Sequence, residues 1–154
     1  MTPLTDSDLA HLAADLVAHL QVSAEWPLHS RLYGLSRTDL VSVRSVAASP
    51  GRWWLELADG DPYDFLDRVW LDADELPAVA LAATGWAAPL DHCRTTRPSQ
   101  HPRRERIRTV VVVSADGRQC SALQRQTGEV VLDQSEGPLL RALLRLWSEP
   151  GRAA

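Results

Sequence analysis

Thr109-Val110-Val111-Val112-Val113, then Asp116-Gly117, then Gln119 to Arg125 is the stretch whose reading decides the fold. Four successive valines are apolar on both faces of an extended chain, which predicts a central strand. Asp116-Gly117 is a two-residue hairpin signal, because such turns need residues that accept positive φ. Gln119 to Arg125 then reads as the returning antiparallel strand. Downstream, Thr127-Gly128 marks a second turn and Glu129 to Asp133 another strand. Ser135 to Pro138 opens a last helix with Leu139, Leu140, Leu143, Leu144 and Trp147 on one face, and Pro150-Gly151 closes it.

Upstream, Leu9, Leu12, Ala13, Leu16, Val17 and Leu20 recur at three- and four-residue spacing and predict an amphipathic first helix. Thr5 is the expected N-cap, with Asp6 and Asp8 in the turn where the helix dipole favours acids. Residues 21–36 read as an irregular connection. A strand is expected over Leu40, Val41, Val43 and Val46, and a second over Arg52 to Ala58, where Trp53, Leu55 and Leu57 alternate with Trp54 and Glu56. Asp59-Gly60-Asp61-Pro62 is turn chemistry, and Tyr63 to Leu71 reads as a third strand. Leu76, Val79, Ala80 and Ala83 predict a middle helix from Asp74 to Gly85. The expected order is α-β-β-β-α-β-β-β-α. That is an α+β class with an antiparallel sheet of five to six strands and helices on one face, in a single domain over 1–154.

The 154 residues include sixteen arginines, no lysine and no asparagine. Residue types with AT-rich codons are scarce across unrelated chemistries, which points to a high-GC bacterium. Lysine-based Schiff-base and phosphate-loop chemistries are thereby excluded. Only Cys93 and Cys120 are present, too few for a disulfide scaffold, so free thiols in a reducing cytoplasm are expected. The N-terminus shows neither the charged nor the apolar region of a signal peptide, and no run reaches the ~18 apolar residues of a membrane span. The expectation is a soluble cytoplasmic protein with no membrane partner.

Charge is unevenly placed. Residues 94–108, a basic proline-containing loop by composition, hold six arginines and one acid and sum to +5; the net charge of −4 leaves −9 on the rest. Eight acids lie between Glu56 and Glu75, a solvated surface or an internal counter-surface for the arginines. Arg97, Arg103, Arg104, Arg106 and Arg108 are the candidate charged docking residues. Phosphate contacts are chemically open to them. The acidic body and the lack of interleaved aromatics in the loop weigh against nucleic acid. Trp53 and Trp54 are adjacent on a predicted strand, so their indoles point to opposite faces, and one is expected on a partner-binding face.

Catalytic and metal patterns are weak. Asp91-His92-Cys93 are sequence neighbours whose side chains do not face one another, so no catalytic residue is assigned. His92, Cys93, His101 and Cys120 lack the close ligand pairs of zinc sites, and the acids at 59–67 do not fit a calcium loop. No metal or other cofactor is expected.

The element order and the run Leu81-Ala82-Ala83-Thr84-Gly85-Trp86-Ala87-Ala88-Pro89 resemble the type III secretion chaperone-like (T-Y chaperone-like) family of actinobacteria. In that family a Leu-x-x-x-Gly-Trp-x-x-Pro run closes the middle helix. The resemblance spans residues 5–90 and leaves out the arginine segment and the extra hairpin strand. It implies a small, often dimeric, non-catalytic protein that binds segments of a partner. The functional expectation is a protein-binding module, chaperone-like or adaptor, whose aromatic sheet face and arginine loop meet a partner bearing an acidic patch, with a homodimer as a further expectation. The alternatives are a nucleic-acid-associated protein that uses the arginine loop, and an acidic immunity-type inhibitor of a basic toxin, with Asp59 to Glu75 as its site.

Overall fold

A computed structural model describes residues 4–23, 30–36, 55–87, 100, 102–125, 128–133 and 138–148. Expectations placed on Leu40–Val46, Trp53, Trp54, His92, Cys93, Arg97 and His101 lie outside these residues. Helix α1 spans Asp6–Ser23. Its start is a reciprocal cap: the Asp8 N–H donates to Thr5 Oγ1 at 3.1 Å, and the Thr5 N–H donates to the Asp8 carboxylate at 2.9 Å. Two amide donors that a helix start leaves orphaned are satisfied together. The six apolar positions of the helical stripe, from Leu9 to Leu20, are all buried.

Strands β1 (Ser30–Leu35), β2 (Leu55–Gly60), β3 (Ala78–Ala87), β4 (Glu105–Ser114), β5 (Gln119–Arg125) and β6 (Val130–Asp133) form one open sheet in the order β2-β1-β3-β4-β5-β6. Every neighbouring pair is antiparallel. A short helix α2 (Pro62–Phe65) follows β2, and α3 (Pro138–Leu144) follows β6. Among the described residues, then, the chain is α+β with six strands and three helices, as the sequence led us to expect.

Both sheet faces carry a core. On one, Tyr33, Leu35, Ala78, Ala80, Ala82, Val110, Val112 and Ala122 pack with the α1 stripe. On the other, Leu32, Val79, Leu81 and Val113 pack with Phe65, Leu66 and Leu71 around α2 and with Leu140, Leu143 and Leu146 at α3. Helical cover on one face was expected; it falls on both, because the consecutive apolar residues of β3 and β4 leave two faces to bury. Alanines at 78, 80 and 82 keep the α1 face of β3 shallow, while Val79 and Leu81 fill the opposite side.

Two local readings change places. Residues 78–87, expected inside a helix, form β3, which pairs along its length with β4 and over five residues with β1. Residues 62–65, expected in a strand, form α2. Asp61 caps it by accepting the Tyr63 N–H at 2.9 Å, and Pro62 opens it, where a missing N–H costs nothing. Gly60, at φ 122°, makes the turn into this cap. The expected turns at Gly117 and Gly128 also use positive φ, 93° and 100°. β1 lies where no strand was expected. Its Gly34 is buried so tightly that an added Cβ would stand 3.0 Å from Leu57 Cδ1. Trp147 packs in the second core, as expected, and its indole N–H donates to the Leu76 carbonyl at 2.8 Å.

Candidate functional site

The arginine segment divides into parts with different roles. Arg103 and Arg104 are exposed just ahead of β4. Glu105 to Arg108, expected as loop, are the first residues of β4, because β3 runs out to Ala87 and supplies ladder partners as far as Glu105. Along β4, alternate residues share a face, so Arg108 faces α1 with Val110 and Val112. It is only 2% exposed, and its guanidinium donates to the Leu20 carbonyl near the C-terminal end of α1 at 2.8 Å. A cation at the negative end of a helix is favoured, although burial pushes this guanidinium's pKa down. Arg108 braces the fold and presents no charge to a partner. Arg106 is half-buried.

The same sheet end carries an ion-pair cluster. Arg125 on β5 holds Glu105 through two hydrogen bonds, 2.7 and 2.8 Å, and Glu129 at 3.2 Å. Hydrogen bonds and charge from Glu105, with Glu129 adding to them, raise the Arg125 pKa further. The acids at 72–75 sit elsewhere. They precede β3, and the carbonyl of Pro77 just before that strand accepts from Ala115 in the β4–β5 turn, whereas Glu105 pairs with Ala87 at the opposite end. Nine strand steps separate those ends, about 30 Å. Asp72 to Glu75 are therefore no counter-surface for Arg103 to Arg108.

The strand expected over Glu129 to Asp133 is β6; what sequence reasoning missed is its place at the sheet edge. It is an edge strand, and its consecutive Val130, Val131 and Leu132 are 41, 45 and 49% exposed. Val130 pairs with Gln124 and Leu132 with Ala122, so both lie on the α1 side; Val131 pairs with Leu123 on the other. The turn fixes the hydrogen-bond phase. Arg125 donates to the Glu129 carbonyl at 2.8 Å, so the alternation turns the N–H and C=O of Val130 and Leu132 toward the open edge. An extended segment laid there meets main-chain donors and acceptors together with apolar side chains on both faces. No charged residue interrupts the strand before Asp133, although edge strands are commonly guarded by charge or proline.

Elsewhere, Leu55, Tyr63 and Trp70 are exposed among the acids of β2 and α2. A cleft of about 280 Å³ between the α2 turn and α3 is lined by Leu66, Asp67, Val69, Ala142, Arg145 and Ser148. It falls just under the usual ligand-pocket range of about 300–1,000 Å³. Among the described residues, no three His, Cys, Asp or Glu side chains converge as metal ligands. Nor is any described helix long and apolar enough to cross a membrane. Comparison with protein-family models, curated proteins and solved structures finds no match to this chain.

Proposed function

We propose that the chain is a non-catalytic protein-binding module, chaperone-like or adaptor, that takes up an extended segment of another protein along β6. The observation that carries this reading is the exposed apolar run Val130–Leu132 on a sheet edge that no described strand pairs, with main-chain groups turned outward. Strand addition draws affinity from main-chain hydrogen bonds and specificity from alternate side chains. The reading keeps the chaperone-like character of the family resemblance without depending on the Leu81–Pro89 run, whose described part is strand. Of the arginines, Arg103 and Arg104 remain as steering charges near the end of the β4 strand, while Arg108 serves the core.

A photo-crosslinking residue at position 131, in extract of the source cells, tests the proposal. One protein, cross-linked at 131 and not at exposed Arg141 on α3, with the adduct lost when Leu132 is changed to Asp, is the expected result. Adducts of equal yield at both positions would remove β6 from the account. The immunity-type reading is the second choice, favoured by the exposed Tyr63 and Trp70 beside Asp61, Asp64 and Asp67.

A further inference from the structure

The flanks of β6 specify what lies against it. The exposed run Val130-Val131-Leu132 is bracketed by Glu129 and Asp133. Consider first a second copy of the chain. The outward main-chain groups of Val130 and Leu132 pair fully across a two-fold axis only when Val130 meets the copy's Leu132 and Val131 meets its counterpart. That register sets Glu129 opposite Asp133 at both ends of the pair. Like charges directly opposite on adjacent strands are destabilising, and here the repulsion occurs twice. Sliding the register by two residues removes both clashes, but sets Glu129, or Asp133 for a slide the other way, against the copy's apolar Val131. A chain of net charge −4 also repels its own copies at long range.

We infer that the occupant of the β6 edge is an extended segment of a different protein, with about three apolar residues flanked on each side by arginine or lysine. This rests on the β6 docking reading and adds the chemistry of the partner. The apolar centre continues both sheet faces, and the basic flanks fall opposite Glu129 and Asp133. At the Glu129 end, Arg125 bonds both Glu129 and Glu105, and Glu129 stays exposed at the start of the strand. Arg106 stands two strands inward on β4, about 10 Å from β6, too far to lie opposite an incoming residue. Exposed Arg103 and Arg104 precede that strand.

Three labelled peptides test this on the full chain by fluorescence anisotropy at low salt: a three-valine centre with two arginines at each end, the same centre with glutamates, and the arginine peptide with its first valine, which falls opposite an outward-turned main chain, replaced by proline. Exchanging like for opposite charges at two cross-strand positions, at about 0.2–1 kcal/mol each way, favours the arginine peptide by roughly 10-fold. Proline, which cannot donate to a ladder, is expected to abolish most of its binding. Glu129→Gln should shrink the preference, and Val131→Asp should remove valine-dependent binding. Several results would overturn the proposal: equal affinity for both flanks, a proline peptide that binds as well as the valine one, or dimers of the free chain abolished by Val131→Asp. Tighter binding of the glutamate peptide, still lost in Val131→Asp, would refute the basic partner and leave the edge reading standing. Binding indifferent to Val131→Asp would refute both.

Discussion

Arg108→Ala separates the two roles that the arginine-rich segment holds. The guanidinium donates to the Leu20 carbonyl at 2.8 Å from a nearly closed site. A hydrogen bond to a charged group contributes about 1.5–3 kcal/mol. Truncation also deletes two buried methylenes of the stem, about 0.8 kcal/mol each. Against this, the substitution relieves the burial of a charge that the site already disfavours. The net expectation is a loss of about 2–3 kcal/mol, which for a urea m-value near 2 kcal/mol/M lowers the unfolding midpoint by roughly 1 M. Arg108→Met keeps most of the stem and should lose about half as much. Arg103→Ala and Arg104→Ala, on exposed positions, should change stability by no more than about 0.5 kcal/mol. Equilibrium urea unfolding followed by tryptophan fluorescence and circular dichroism reads all four. If Arg108→Ala unfolds at the same urea concentration as Arg104→Ala, the brace between β4 and α1 is wrong.

Three further outcomes are expected. Thr5→Ala removes one half of the reciprocal cap on α1 and should lower stability by about 1 kcal/mol in the same unfolding assay. Gly34→Ala drives a methyl to 3.0 Å from Leu57 and 3.2 Å from Leu76; it should cost about 1–3 kcal/mol and be partly rescued by Leu57→Ala, as a double-mutant cycle would show. Burial, and then the charge of Asp6, push the Cys120 thiol pKa up, so in a Cys93→Ser background iodoacetamide should alkylate it several-fold more slowly at pH 8 than in urea. Because the folded pKa lies above the unfolded one, this thiol's contribution to stability is intact below about pH 8.5 and is lost as pH rises further.

The parts of the fold that were legible are those where local chemistry and tertiary environment agree. α1 has its full apolar stripe and its cap, and the β4–β5 hairpin has a valine run before Asp116-Gly117. β3 was misread because Leu76, Val79, Ala80 and Ala83 satisfy a helical spacing by coincidence, and alanine is a strong helix former. A strand covered on both faces has no alternation to betray it, and the two-sided ladder with β1 and β4 overrides propensity. β1 was missed for the same reason, being buried from Leu32 to Leu35 and containing a glycine. The arginine segment showed its charge plainly but not which head is buried. Counting by two from Val110 and Val112 assigns Arg108 to the core face once β4 is known to begin at Glu105. The exposure of β6 was illegible for a different cause. A sequence shows that a segment is a strand, while its position at the sheet edge follows only from the order of all six.

Amide hydrogen exchange reads the β6 edge residue by residue. Exchange is measured on the full chain with and without a saturating arginine-flanked valine peptide. Exchange is expected to slow at Val130 and Leu132, whose N–H groups turn outward, and to stay unchanged in β2 at the other sheet edge. Protection of Leu55–Gly60 instead, or exchange at Val130 and Leu132 unaltered at saturation, would contradict docking along β6.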